Sequence, residues 1–274
     1  MKKIPFFKMS GSGNDFIIID NRTGVWDHVK TPEFVRAVCK RKISVGSDGL
    51  IFIENSDRCD FSWRFFNSDG SEAEMCGNGG RCAACFAVLN GIAGSKLSFE
   101  TIAGVIHADV EGSQVKIQLP EPKNMEMDSN LVIDGKSLVL HSINTGVPHV
   151  VLFVEDIDSV QVKDLGAKIR FHQRFQPAGT NVNFVSQVKD NMLNIRTYER
   201  GVEDETFACG TGSVAAALVS LSMGKTVSPV QVRTRSGEVL KVHAWKPSPP
   251  FKDVYLEGGV RVVCQGEIWE EAYV

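Results

Sequence analysis

Apolar and polar positions alternate in short runs along most of the chain, and the runs predict strands more often than helices. Ile4-Pro5-Phe6-Phe7-Lys8-Met9 and Phe16-Ile17-Ile18-Ile19-Asp20 read as short strands flanking a Gly-Ser-Gly-Asn-Asp turn. Thr31-Pro32 supplies an N-cap and then proline at the first helical position, which starts a helix over 32–41. Residues 50–54 form an apolar run and 61–67 an alternating one, both strands, with turn residues Asn67-Ser68-Asp69-Gly70 behind them. A helix is expected over 76–89, stopped by Asn90-Gly91, and strands over 98–101, 105–110 and 115–119.

Pro120-Glu121-Pro122-Lys123 breaks the pattern and sets a domain boundary, with an N-terminal domain over 1–121 and a second over 122–262. The second half predicts strands over 138–144 and 149–154, a helix over 159–171, and strands over 181–188 and 192–198. A second long helix covers 209–223, followed by strands over 230–234, 239–245, 254–257 and 260–267. Strand-rich halves that each carry one long central helix point to an α+β fold built from two similar, pseudo-symmetric units, the product of a duplication.

The two long helices open on the same motif. Glu72-Ala73-Glu74-Met75-Cys76-Gly77-Asn78-Gly79 and Glu205-Thr206-Phe207-Ala208-Cys209-Gly210-Thr211-Gly212 align on their cysteines, with Glu four residues before and Gly one and three residues after. Ala83-Ala84 and Ala216-Ala217 follow at matching offsets. A cysteine at a helix mouth faces unpaired first-turn N–H groups and the positive end of the helix dipole, both of which favour thiolate over thiol. The same N–H groups bind a carboxylate, and the glycines let it approach the backbone. Two such mouths offer a thiolate and a thiol to opposite faces of a carbon beside a carboxylate. That arrangement suits removal of a proton from one face and its return from the other, which inverts a stereocentre.

Composition narrows the field. The 274 residues are 43% hydrophobic and 23% charged with net charge −3, as in an ordinary globular chain with no basic footprint for nucleic acid. Met1-Lys2-Lys3 is not followed by an apolar core of the signal-peptide kind, and no window approaches the ~20 apolar residues of a membrane helix. The expectation is a cytoplasmic protein without a membrane partner, whose seven cysteines form no disulfide framework.

Cys39 and Cys85 lie on apolar helical patterns as packing residues, and Cys59 and Cys264 have no companion motif. Cys76, Cys82 and Cys85 could serve as metal ligands, but two of them fall inside a predicted helix and no fourth ligand presents itself, so no metal is expected. Cys82-Ala83-Ala84-Cys85 sits within the helix rather than at its start, where a redox pair would stand. Nucleotide-loop, hydrolase-elbow, zinc-helix and pyridoxal-phosphate signals are missing, so the chemistry is expected to need no cofactor. Taken alone, Glu199-Arg200 reads as a surface pair and His149 as a structural histidine.

Read together, these motifs resemble those of the diaminopimelate epimerases, over essentially the whole chain. The resemblance is carried by Gly13-Asn14-Asp15-Phe16, Phe66-Asn67-Ser68-Asp69-Gly70-Ser71-Glu72, Met75-Cys76-Gly77-Asn78-Gly79, Asn144-Thr145-Gly146-Val147-Pro148-His149, Gly179-Thr180-Asn181-Val182-Asn183-Phe184, and Tyr198-Glu199-Arg200-Gly201 running to Cys209-Gly210-Thr211-Gly212. It implies a cofactor-independent epimerase that interconverts LL- and meso-diaminopimelate in lysine and peptidoglycan precursor synthesis, with Cys76 and Cys209 as the base and acid pair. Backbone N–H groups at Gly77-Asn78 and Gly210-Thr211 would hold the carboxylate of the reacting centre. Asn14, Asn67, Asn181, Glu199 and Arg200 would grip the distal amino-acid end, and His149 and Glu199 would tune the thiols. The family fold implies a site in a cleft between two domains, a C-terminal strand over about 263–274 returning to the first domain, and a homodimer.

This chain departs from the family pattern at three places. Val147 stands where many members carry Asn, Gly49 where some carry a Gln contact, and Cys264 where some carry a Tyr linked to dimerisation. Two rival readings remain. Proline or hydroxyproline racemases of the same superfamily also use two cysteines, but they usually have His where this chain has Asn78, and they lack the Tyr-Glu-Arg-Gly run. A non-catalytic amino-acid-binding or thiol-redox protein on a duplicated fold is the other.

Overall fold

The computed structural model describes residues 3–189 and 191–274; Met1 and Lys2, on which the reading of the N-terminal start partly rests, lie outside them. β1 (Ile4–Gly11) and β2 (Asn14–Asp20) form a hairpin whose two turn residues, Ser12 and Gly13, have φ of 50° and 87°. Positive φ at both positions matches the right-handed twist of the strands. α1 (Pro32–Cys39) starts where Thr31 Oγ1 accepts the Phe34 N–H at 3.2 Å. β3 (Gly49–Glu54), β4 (Phe61–Asn67) and the two-residue β5 (Glu72–Ala73) lead into α2 (Gly77–Leu89). β6 (Lys96–Thr101), β7 (Gly104–Glu111) and β8 (Gln114–Gln118) complete this half.

The second half runs β9 (Lys123–Ile133), β10 (Lys136–Asn144), β11 (Pro148–Phe153) and α3 (Val162–Arg170). It continues with β12 (Asn181–Lys189), β13 (Met192–Glu199), β14 (Asp204–Thr206) and α4 (Gly210–Ser222). β15 (Val230–Arg233), β16 (Val239–His243), β17 (Tyr255–Gly259) and β18 (Arg261–Ile268) end the chain. The predicted helices and strands are present with ends shifted by a few residues.

One long element had no counterpart in the sequence pattern. β9 follows the Pro120–Pro122 break directly, with Asn124 and Asp128 at positive φ and irregular register against β10. Its side chains still alternate inward and outward from Met125 to Ile133, but Glu126, Asp128, Ser129 and Asn130 leave few apolar residues to mark that period, and the prolines before it read as a break. The short strands β5 and β14 were also invisible, since two or three residues carry no period.

The chain divides into two compact units, one of residues through Ile117 together with Gly258–Val274, the other Gln118–Glu257. Within the first, β18, β1 and β2 are antiparallel, β2 and β3 are parallel across α1, and β3, β4 and β5 are antiparallel. β4 and β6 are then parallel across α2, and β6, β7 and β8 antiparallel. Within the second, β9, β10 and β11 are antiparallel, β11 and β12 parallel across α3, and β12, β13 and β14 antiparallel. β13 and β15 are parallel across α4, and β15, β16 and β17 antiparallel. The pairing scheme is the same step for step, which is the structural form of the duplication. β9 begins the second copy in continuous sequence; β18, from the far end of the chain, fills the matching place in the first.

In each unit the strands wrap the long helix. α2 packs on β1, β2, β3 and β7, and α4 on β10, β11, β12, β13, β15 and β16. The helices are made of small and apolar residues nearly all round, and Cys82, Ala83, Ala84, Val214, Ala215, Ala216, Ala217, Leu218 and Val219 are sealed from solvent. A helix without a polar face is stable only when covered on every side. Among the described residues no helix is long and apolar enough to cross a membrane.

Ile268, at the end of β18, is buried in a cluster with Ile4, Phe6, Ile17 and Ile19. Ile268→Ala is therefore expected to lower the unfolding free energy by about 2–5 kcal/mol. Denaturant titration checks this; an unchanged midpoint would mean that β18 contributes nothing to the first unit.

Candidate active site

Cys76 and Cys209 are the N-cap residues of α2 and α4, extended at φ −142°, ψ 119° and φ −124°, ψ 110°. Each carbonyl begins its helix, accepting from Gly80 N–H at 2.8 Å and Ser213 N–H at 2.9 Å. Gly77, Asn78, Gly210 and Thr211 thus form first turns, whose N–H groups have no partner within the helix. The sulfurs differ in surroundings. Cys76 Sγ accepts the Gly79 N–H at 3.5 Å, whereas Cys209, 7% exposed, has the Thr211 hydroxyl 3.6 Å from its sulfur.

The glutamates that flank the two motifs have a structural job. Glu72 on β5 takes a bidentate pair from Arg64 on β4 at 2.7 and 2.9 Å, and Glu205 on β14 takes one from Arg196 on β13 at 2.7 and 2.8 Å. Each pair pins a very short strand against its long neighbour, immediately before the loop that presents the cysteine.

In the first unit Asn78 Nδ2 donates to Asn14 Oδ1 at 2.7 Å, and Asn14 Nδ2 donates to Asp48 Oδ2 at 3.1 Å. Asp48 and Asp15 share Arg41, at 2.8 and 2.6 Å, and Lys8 reaches Asp15 at 2.9 Å. Burial works against the Asp15 carboxylate, yet Arg41 and Lys8 hold its pKa down to about 2. Behind Asn78 lies the guanidinium of Arg81, fully buried, which donates to Asn78 Oδ1 at 3.0 Å and to Ser12 Oγ. Arg81 was not foreseen, although an arginine in so small-residued a helix was the available signal. Asn67 is exposed at the end of β4, donating to Ser71 Oγ at 3.0 Å, opposite Gly49 on β3. A Cβ on Gly49 would lie 2.6 Å from Phe65 Cε2 and 2.8 Å from the Phe66 carbonyl, so no side chain fits at this position.

In the second unit the Arg200 N–H donates to Asn181 Oδ1 at 2.8 Å, Asn181 Nδ2 to the Pro148 carbonyl at 3.1 Å, and Arg200 Nη1 to the Ala178 carbonyl at 2.9 Å. Burial raises the Glu199 carboxyl above its ordinary range, opposed by the Thr206 hydroxyl. His149 is buried beside Asn181, its Nε2 3.0 Å from Thr211 Oγ1 and its Nδ1 3.1 Å from Asn183 Nδ2. Burial first, and the Arg200 charge second, lower its pKa to about 3, so the ring is neutral at physiological pH. Thr145, ahead of Val147, donates to the Thr211 carbonyl at 3.0 Å. Thr145, Asn183 and Thr197 were not singled out from sequence; Thr145 reaches the site from the bend between β10 and β11, and Asn183 and Thr197 through strand register.

Of the remaining cysteines, Cys39 and Cys85 have thiols pushed up by burial, and Cys82 is sealed in the core, as packing residues should be. Cys264 is exposed on β18. Among the described residues no group of His, Cys, Asp or Glu is placed to hold a metal ion.

The last glycine of each Cys-Gly-x-Gly motif gives an internal comparison. A Cβ on Gly212 would lie 2.3 Å from Asn183 Oδ1 and 3.2 Å from Cys209 Sγ, whereas on Gly79 it would find ordinary contacts from 3.4 Å. Gly212→Ala is expected to destabilise by about 1–3 kcal/mol. Gly79→Ala should be neutral or stabilising by roughly 0.5–1 kcal/mol through helix propensity. Chemical denaturation of both variants checks this, and equal effects would contradict the packing described.

The diaminopimelate epimerase family profile matches this chain twice, over residues 6–124 and 141–249, one match for each half. A diaminopimelate epimerase of Aquifex aeolicus is 51% identical over 277 residues, covering 97% of this chain and 98% of that protein. Others from Hydrogenobaculum and Archaeoglobus fulgidus are 44% and 42% identical, with 97% and 96% of this chain covered. Among solved structures, a PhzF-family phenazine biosynthesis protein of Bacillus anthracis superposes with a TM-score of 0.72 at 16% identity, over 98% of this chain and all of that one. A hydroxyproline epimerase of Agrobacterium vitis superposes with 0.71 at 13% identity, over 98% of this chain and 93% of that one; at such identities the likeness is one of fold. The chain belongs to the diaminopimelate epimerase family.

Proposed function

We propose that this protein interconverts LL- and meso-diaminopimelate without a cofactor. One of Cys76 and Cys209, as thiolate, removes the α-proton, and the other, as thiol, returns a proton to the opposite face. The observation that carries the reading is the duplicated N-cap cysteine, one per unit, each before a first turn of glycine-rich backbone. The first-turn N–H groups at Gly77-Asn78 and Gly210-Thr211 stabilise the carboxylate as negative charge builds on it, the usual large electrostatic contribution to such a step. Both thiols take part in either direction and exchange roles with it.

The distal amino-acid head is gripped by Asn14, Asn67, Asn181, Glu199 and Arg200. Asn14 and Asn181 are already oriented by Asp48 and by the Arg200 backbone, and Arg200 supplies a planar carboxylate fork. His149 and Glu199 tune the thiols, and the raised Glu199 carboxyl suits a group that trades a proton with one of them. A half-buried thiol at Cys59 and an exposed one at Cys264, neither in a disulfide, fit a reducing, cytoplasmic location.

A second copy of the chain is proposed to cover β18, where Val262 and Val263 are exposed. Sedimentation at micromolar concentration should give twice the chain mass; a monomer would contradict a homodimer.

Cys76→Ala and Cys209→Ala should each cost roughly 10²–10⁴-fold in kcat, the usual worth of one positioned acid or base. Arg200→Ala should act on KM, losing about 2–5 kcal/mol of substrate binding if it pairs a desolvated carboxylate. Full turnover in either cysteine variant, or an unchanged KM for the arginine variant, would overturn these assignments.

A further inference from the structure

The ground beneath the two cysteine loops is built from equivalent positions and opposite chemistry. In the first unit the register sets Phe16 against Gly49, Ile18 against Ile51, and Ile51 against Phe65. In the second it sets His149 against Asn181, Val151 against Asn183, and Asn183 against Thr197. His149, Asn183 and Thr197 thus take the places of Phe16, Ile51 and Phe65. The equivalence extends to contact: a Cβ on Gly79 would meet Phe16 and Ile51, and one on Gly212 would meet Asn183. The three polar residues are 1%, 0% and 3% exposed. Polar groups at sites that the sister unit fills with hydrocarbon bring a desolvation cost, offset only where every donor and acceptor is matched.

Here they are matched, and the matching has one direction. Asn183 Nδ2 donates to the Val150 carbonyl at 2.8 Å, and Thr197 Oγ1 donates to Asn183 Oδ1 at 2.9 Å. A carbonyl can only accept, so the amide orientation is settled and its second N–H points at His149 Nδ1, 3.1 Å away. Nδ1 must then accept, which leaves the ring proton on Nε2, 3.0 Å from Thr211 Oγ1. Thr211, accepting from the ring, has its own O–H left for Cys209 Sγ at 3.6 Å. A doubly protonated ring would set Nδ1–H against the amide N–H of Asn183. Arg200, the charged group acting on the ring, also disfavours that state.

We infer that Asn183 and Thr197 are positioning residues that lock His149 in its Nε2–H tautomer, so that the Thr211 hydroxyl donates to Cys209 and favours its thiolate. This deepens the proposed two-thiol reading by giving Cys209 a polar support that the first unit replaces with Phe16, Ile51 and Phe65.

The test needs no substrate. In the full-length protein, iodoacetamide alkylation of Cys209 and Cys76 is followed by peptide mass spectrometry across pH. Thr211→Val should move the Cys209 midpoint upward and slow its alkylation about tenfold at pH 7 for each unit of that shift, with Thr211→Ser restoring it. Asn183→Asp, an acceptor facing Nδ1, should draw the ring proton to Nδ1, seen in the ¹⁵N spectrum of His149, and shift the Cys209 profile while that of Cys76 holds. Thr197→Val, close to isosteric, should shift Cys209 in the same direction by less, and keeps the test open should Asn183→Asp fail to fold.

Equal shifts at both cysteines, an unmoved Cys209 in Thr211→Val, or an Nδ1–H ring in the unsubstituted protein would each overturn the inference. Because the readout is thiol reactivity, a wrong substrate assignment would leave this result standing.

Discussion

The architecture depends on one constraint: a cysteine caps each long helix, and the first-turn N–H groups behind it have no partner within the helix. An ordinary N-cap side chain consumes one of those donors, and a sulfur is a weak enough acceptor to do so loosely, as Cys76 does with Gly79 at 3.5 Å. Keeping the mouth open requires small residues in the first turn, and those residues give the helix little local stability of its own. The deficit is met by burial. α2 and α4 are wrapped by strands on nearly every side, which explains their run of Ala, Gly, Cys and Val and the absence of a charged face. The strands fix the helices, and the Arg64–Glu72 and Arg196–Glu205 pairs fix the loops that lead into them.

The duplication keeps this frame and lets the chemistry around it diverge. Both units repeat the same order of parallel and antiparallel pairings, and both place a cysteine before Gly-x-Gly. Around Cys76 the polar residues form a chain from Asp48 through Asn14 to Asn78 and the buried Arg81. Around Cys209 the chain runs from Thr197 through Asn183 and His149 to Thr211. Two copies of one scaffold thus carry two differently supported thiols.

Much of this was legible in the sequence because it is local. Alternation marked the strands, Thr31-Pro32 marked α1, and the repeated Glu-x-x-x-Cys-Gly-x-Gly marked both helix mouths and the duplication together. What escaped was either irregular or non-local. β9 keeps its period, but its first half is polar and follows two prolines, so the alternation has few apolar residues to mark it, and β5 and β14 are too short to have one. Asn183 and Thr197 are ordinary strand residues until β11, β12 and β13 are put in register, when they come to lie beside His149. Gly49 read as a lost contact; the Phe65 ring and the Phe66 carbonyl show a backbone position with no room for a side chain. Register and packing are properties of pairs of segments, which a single pass along a chain does not contain.

The central claim is that two thiols invert a carbon beside a carboxylate in a doubly headed amino acid. It is tested most directly by incubating the reduced protein in deuterated water with LL-diaminopimelate, without pyridoxal phosphate, alongside a parallel incubation with L-proline. The account predicts conversion of diaminopimelate to the meso form with one solvent deuterium at the inverted α-carbon, and no exchange into proline. Exchange into proline alone, or into neither compound with both thiols confirmed reduced, would contradict it.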